Sequence, residues 1–180
     1  LEKRGVEYVE IRSIDLNPFV ACGIDEDTID LLDIFLMYCL MSDSSKLDEI
    51  EQINISTNYL NTVYEGRDPK LRLVGRNGDA YLLDLANALI ENMKPIAKIL
   101  DTLNNNNSYE KVLTKSSDCV KNNSLLPSTK IVNLIKENDQ TFQELNLTKA
   151  KEYSDYFKKF KLTQNEFNAM TLKSNESIKK

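Results

Sequence analysis

The sequence predicts a mainly α-helical fold with one N-terminal strand and one short β-hairpin. Three observations carry this prediction. Residues 5–14 alternate β-branched or aromatic side chains with charged ones, the period of a strand. Two short apolar runs, Leu71 to Val74 and Ala80 to Leu83, flank Gly75-Arg76-Asn77-Gly78-Asp79, a hairpin signal. Almost everywhere else, apolar residues recur at three- and four-residue spacing.

In the N-terminal strand, Val6, Tyr8, Glu10 and Arg12 share one face, and Glu7, Val9, Ile11 and Ser13 the other. A carboxylate and a guanidinium therefore project side by side. Such a pair suits a metal-phosphate site, because a carboxylate is a hard oxygen ligand for Mg²⁺ and Arg offers a planar fork of donors to phosphate. It equally suits a salt bridge on a solvated sheet face, and spacing does not choose between the two. Asn17-Pro18-Phe19 turns the chain after the strand, since Pro has no backbone donor. Asp15 and Asn17, at the strand's exit, are secondary candidates for a substrate rim, with turn capping as the plainer role.

Asp25 is placed to cap a helix from about Glu26 to Ser42. Ile29, Leu32, Phe35, Leu36, Cys39 and Leu40 form one apolar face, and Leu31, Ile34, Met37, Tyr38 and Met41 make the other side apolar too. The expectation is an enclosed helix, each large side chain contributing about 1.5 to 3 kcal/mol on full burial, with Cys39 as a small buried hydrophobe. A second helical region runs from Leu47 to Tyr64, with a fresh start expected near Ser56 or Thr57. Glu65-Gly66-Arg67-Asp68-Pro69 ends it, Gly66 supplying a left-handed C-cap. Arg67 is a further candidate for approaching a phosphate, although a turn-fixing role is the more ordinary one.

After the hairpin, Leu85, Leu89, Met93 and Ile96 mark a helix from Asp84 to Leu103, kinked at Pro95. Asn104 to Asn107 is an exposed loop, and Ser108 is expected to cap a helix reaching Lys121. Further helices are expected from Ser128, from Leu147 to Phe160, and from Thr163, where Thr163-x-x-Glu166 has the form of a capping box. Beyond Leu172 the polar composition predicts fraying.

With 180 residues, 41% of them hydrophobic, the chain can bury one sizeable core. The net charge of −5 and pI near 4.9 argue against a nucleic-acid partner, whose phosphates need a basic face. The sequence has no apolar run long enough to span a bilayer and no signal peptide, so neither a membrane nor secretion is expected. Cys22, Cys39 and Cys119 are widely spaced and the chain has no histidine. That set suits reduced thiols in a cytoplasmic protein better than zinc ligation or a disulfide scaffold.

The run from Arg4 to Phe19, with Gly23-Ile24-Asp25 after it, resembles the signature segment of the proteobacterial type of glutamate-cysteine ligase. Leu32-Asp33-Ile34-Phe35 and Cys39, then Asn61-x-Val63-x-Glu65-Gly66-Arg67-x-Pro69, then Leu100-Asp101 follow in that family's order, and the similarity fades beyond about Ile135. The resemblance implies that residues 1–180 are a C-terminal fragment of an α+β parent, a glutamine-synthetase-like antiparallel sheet with helices. It implies ATP-dependent joining of L-glutamate to L-cysteine, the first step of glutathione biosynthesis, with Mg²⁺ as the metal. By the family's pattern Glu10 is a metal ligand and Arg12 contacts the phosphates of ATP. The family's other metal carboxylates and its metal-binding histidine lie before this signature, so Glu10 alone cannot make the site and the isolated fragment is expected to be inactive. A strand without its neighbours is also expected to self-associate through Tyr8 to Ile14. The rival reading is a non-catalytic helical structural or interaction domain.

Overall fold

The computed structural model describes residue 5, residues 7–12 and residues 14–178. In chain order the elements are α1 (Glu26–Met41), α2 (Glu49–Glu65), β1 (Arg72–Leu73), β2 (Ala80–Tyr81), α3 (Leu82–Asn104), α4 (Ser108–Lys121), a 3-10 turn (Asn123–Leu125), α5 (Pro127–Glu137), α6 (Phe142–Lys158) and α7 (Gln164–Ile178). Helices dominate, as expected, and the hairpin is antiparallel with Arg72 opposite Tyr81 and Leu73 opposite Ala80.

The chain divides into two compact units, Leu1–Asn133 and Leu134–Lys180. The core of the first is a three-helix contact. Ile34 from α1 meets Ile90, Met93, Ile96 and Ala97 from α3 and Val112 and Leu113 from α4, with Leu31, Tyr38, Leu89, Leu100, Tyr109 and Val120 packed around them. Pro95 lies inside α3 without interrupting it. The first helical turn after a proline's own needs no donor from it, and the buried residues on either side, Met93 and Ile96, hold the helix to its neighbours.

Capping decides where these helices begin. Asp25 accepts from the Thr28 amide at 2.9 Å and from its hydroxyl at 2.6 Å, as expected. Those bonds hold its carboxyl below the usual carboxylate range. The start of α4 differs from expectation: the carboxylate of Asp101, buried in α3, accepts from the Tyr109 amide at 3.0 Å and the Glu110 amide at 2.9 Å. Ser108 is the first helical residue and not the cap. At α2, Asp48 and Glu51 form a reciprocal capping box. The helix then runs unbroken through Ser56 and Thr57, whose hydroxyls donate to the Gln52 and Ile53 carbonyls, each at 3.0 Å, so no fresh start is needed.

Other expectations need correction. The strand expected over residues 5–14 has no ladder partner, and its described residues lie outside regular structure, since a strand requires a neighbour for its amides and carbonyls. Val6 and Ser13, assigned to its two faces, lie outside the described residues. Helix α1 is not enclosed: Ile34 alone is fully buried, Leu40 is 78% exposed, and Cys39 is exposed. Gly66 is right-handed at φ −58°, not left-handed. It suits its place because a Cβ there would approach the Thr62 carbonyl oxygen to 2.4 Å.

In the second unit α6 begins earlier than expected, at Phe142, through a capping box of Thr141 and Glu144. Thr163 and Glu166 make the predicted box, the Thr163 amide donating to Glu166 Oε2 at 2.8 Å. Instead of fraying after Leu172, α7 continues to Ile178. Edge-to-face packing joins Tyr156 to Phe157 and Phe160, with ring centroids 5.4 and 4.9 Å apart.

Candidate active-site segment

Residues 7–17 carry most of the sequence-predicted site. Arg12 Nη2 donates to Glu10 Oε2 at 2.8 Å, so the two side chains do project together. Their pairing is open to water: the Arg12 side chain is 80% exposed and that of Glu10 55%. A pair so solvated contributes little to stability, and its guanidinium keeps donors available for another anion.

The segment is anchored at its C-terminal end by a closed turn. The Asn17 amide donates to the Gly23 carbonyl at 2.7 Å, the Gly23 amide to the Val20 carbonyl at 3.0 Å, and Asn17 Oδ1 accepts from the Phe19 amide at 3.0 Å. Gly23 sits at φ +73°, and a Cβ there would come within 2.9 Å of Leu16 Cδ2. Asn17 is thus a turn-fixing residue, leading directly to the Asp25 cap of α1. Asp15 is exposed on the short stretch between Arg12 and this turn.

Arg67 is separate from the segment. It follows α2, its side chain is exposed, and its carbonyl accepts from Asn123 Nδ2 at 3.1 Å. No hydrogen bond or ion pair among the described residues joins it to Glu10 or Arg12.

A divalent metal needs several oxygen donors. Among the described residues no group of three or more Cys, Asp or Glu side chains could hold one. Glu10 fits Mg²⁺ chemically as a single donor, but the chain does not present a metal site by itself. Cys22, Cys39 and Cys119 are free thiols. No helix among the described residues is long and apolar enough to cross a membrane.

Two positioning contacts escaped the sequence reading. Arg76, from the hairpin turn, pairs with both carboxylate oxygens of Glu51, with Nη2 to Oε2 at 2.6 Å, and also donates to Ser45 Oγ. Its guanidinium, with the Asp48 amide, holds the Glu51 carboxyl below its usual range. The Asn58 amide group grips Val74, donating to its carbonyl at 2.8 Å and accepting from its amide at 2.9 Å. Asp48-x-x-Glu51 was a readable capping signature, whereas nothing local marks Asn58 or Arg76.

A sequence model of the glutamate-cysteine ligase family matches residues 1–62, the stretch containing Glu10, Arg12, Asn17 and α1. The glutamate-cysteine ligase of Pseudomonas fluorescens is 33% identical over 92% of this chain and 31% of its own length. That of Pseudomonas putida is 34% identical over 99% of this chain and 34% of its own. The crystal structure of glutamate-cysteine ligase from Francisella tularensis in complex with AMP superposes with a TM-score of 0.85 at 25% identity, over 98% of this chain and 34% of the other. The chain therefore spans about a third of the length of the curated relatives it matches. By sequence and by fold, it belongs to the glutamate-cysteine ligase family.

Proposed function

We propose that this chain supplies one wall of an ATP- and Mg²⁺-dependent site that ligates the γ-carboxylate of L-glutamate to the amine of L-cysteine in the cytoplasm. The observation that carries the reading is the juxtaposition of Glu10 and Arg12 within the stretch matched to the family. The AMP in the Francisella enzyme supports nucleotide use.

A carboxylate is a poor electrophile, so the γ-phosphoryl group of ATP is transferred to a glutamate oxygen, releasing ADP. The cysteine amine then attacks the acyl carbon, the amide forms, and phosphate leaves. Negative charge on the transferring oxygens is what the protein must stabilise. Arg12, with its planar fork and solvent-open side chain, binds and orients phosphate oxygens. Glu10 offers one carboxylate donor to Mg²⁺, whose bound charge would offset that of the phosphates. Asn17 and Gly23 hold the turn that fixes the segment's exit into α1. Asp15 and Arg67 remain rim candidates, neither contacting the pair.

The test is glutamate- and cysteine-dependent ADP release by a polypeptide uniting this chain with the other two thirds or so of the family's length. Glu10→Gln should weaken the Mg²⁺ dependence of turnover, and Arg12→Lys should lose the bidentate phosphate contact, each lowering kcat/KM by on the order of 10²-fold or more. Unchanged kcat in either variant overturns the assignment.

A further inference from the structure

Apolar side chains on one side of the first unit face outward. Tyr8, Val9 and Leu16 are exposed in the N-terminal segment, Ile29 and Leu40 on α1, and Ile53, Leu60 and Tyr64 on α2, Tyr64 at 82%. The arrangement of α2 is inverted relative to an ordinary surface helix. Its half-buried positions are Glu51, Asn54, Asn58 and Asn61, at helical spacing, and the two of these with cross-element bonds turn to the hairpin. By contrast α4 has no large exposed hydrophobe. A continuous apolar exposure of this kind marks an interaction surface.

We propose that the outer faces of α1 and α2, together with residues 7–16, are the seat for the remaining two thirds or so of a glutamate-cysteine ligase polypeptide, whether joined to this chain or separate. The occupant follows from length and fold. In the Francisella enzyme the equivalent fold takes up 34% of the chain, so a body about twice its size shares that molecule. The α3–α4 side is closed over its own core and carries charged residues such as Glu91, Lys94, Asp118 and Lys121. The apolar side is where such a body gains most by contact. An anionic lipid surface is disfavoured by the net charge of −5 and by Asp27, Asp30 and Asp33 on α1. Residues 7–12, extended and without a ladder partner, are ready to join a sheet supplied by that body. This inference rests on family membership and not on the roles of Glu10 and Arg12.

Cys39, exposed on α1, and Cys119, half-buried on α4, are built-in reporters. The tagged 180-residue chain is co-expressed with the part of the Pseudomonas putida relative that it does not match. The chain should retain that partner through affinity purification. In the complex, alkylation of Cys39 by N-ethylmaleimide should slow by about tenfold or more relative to the chain alone, with Cys119 little changed. Ile53→Asp with Leu60→Asp should abolish retention, while Leu103→Asp, on the exposed part of α3, should not. Failure of the unsubstituted chain to retain the partner, or equal Cys39 reactivity in both samples, overturns the proposal. So does concentration-dependent protection of Cys39 in the chain alone with a dimeric mass, which assigns the face to a second copy. None of these readouts depends on turnover, so loss of ligase activity at Glu10 or Arg12 is a separate result.

Discussion

The α3–α4 pair and the α1–α2 region are built from similarly apolar sequence and use it in opposite ways. In α4, Tyr109, Val112, Leu113 and Val120 all turn toward the core, and the buried Asp101 of α3 ties the start of α4 to its neighbour. In α1 only the stripe of Leu31, Ile34 and Tyr38 is used that way, and in α2 the inward positions are polar. The first pair stabilises itself, whereas the second region contributes surface to something larger. Hydrophobicity alone therefore does not report burial within a chain that is one part of a bigger fold.

This contrast can be broken in order of expected effect. Leu113→Ala, at a site 2% exposed, should cost about 2 to 5 kcal/mol of unfolding free energy in urea titration. A smaller loss would mean that α3–α4 is loosely packed. Asp101→Ala leaves the Tyr109 and Glu110 amides without their acceptor and should cost about 1 to 3 kcal/mol, with faster amide exchange in the first turn of α4. Asn58→Ala removes both bonds to Val74 and should cost on the order of 1 kcal/mol, with exchange rising at the Val74 amide before the core. Ile53→Ser, on the exposed face of α2, should shift the stability of the chain alone by no more than about 0.5 kcal/mol. A loss of several kcal/mol there would erase the distinction between the two regions.

The cap of α1 gives the same comparison a pH axis. The Asp25 carboxyl is depressed by its bonds to Thr28, so its stabilising effect is present above its unfolded value and fades as pH falls through the lower folded one. Below about pH 4, α1 should loosen in wild type, and Asp25→Asn should remove that component of the acid dependence. Following the Thr28 amide by NMR against pH checks this, since an unchanged acid profile in Asp25→Asn would remove Asp25 as its source.

Features specified by neighbouring residues were legible in the sequence. The Asp25 cap, the Thr163–Glu166 box and the 71–83 hairpin each depend on contacts a few residues apart. Asp101 capping α4, Asn58 gripping Val74 and Arg76 pairing with Glu51 join residues 8 to 25 positions apart, which periodicity does not register. The apolar sequence of α1 showed that burial was available on every side, but not which stripe this unit would use. Alternation gave residues 5–14 the period of a strand, although a strand exists only where a neighbour accepts its bonds. Within the site, alternation placed Glu10 beside Arg12, and family resemblance gave the pair its chemical meaning.

The Asn58 grip on Val74 has a consequence for how the chain fares in a crowded cell. With the Val74 amide and carbonyl both engaged, the residue just past β1 has no free valence to recruit a foreign strand. One asparagine thereby acts as a guard against amyloid-like propagation from the hairpin, a protection for the newly made chain while its apolar helices are still uncovered.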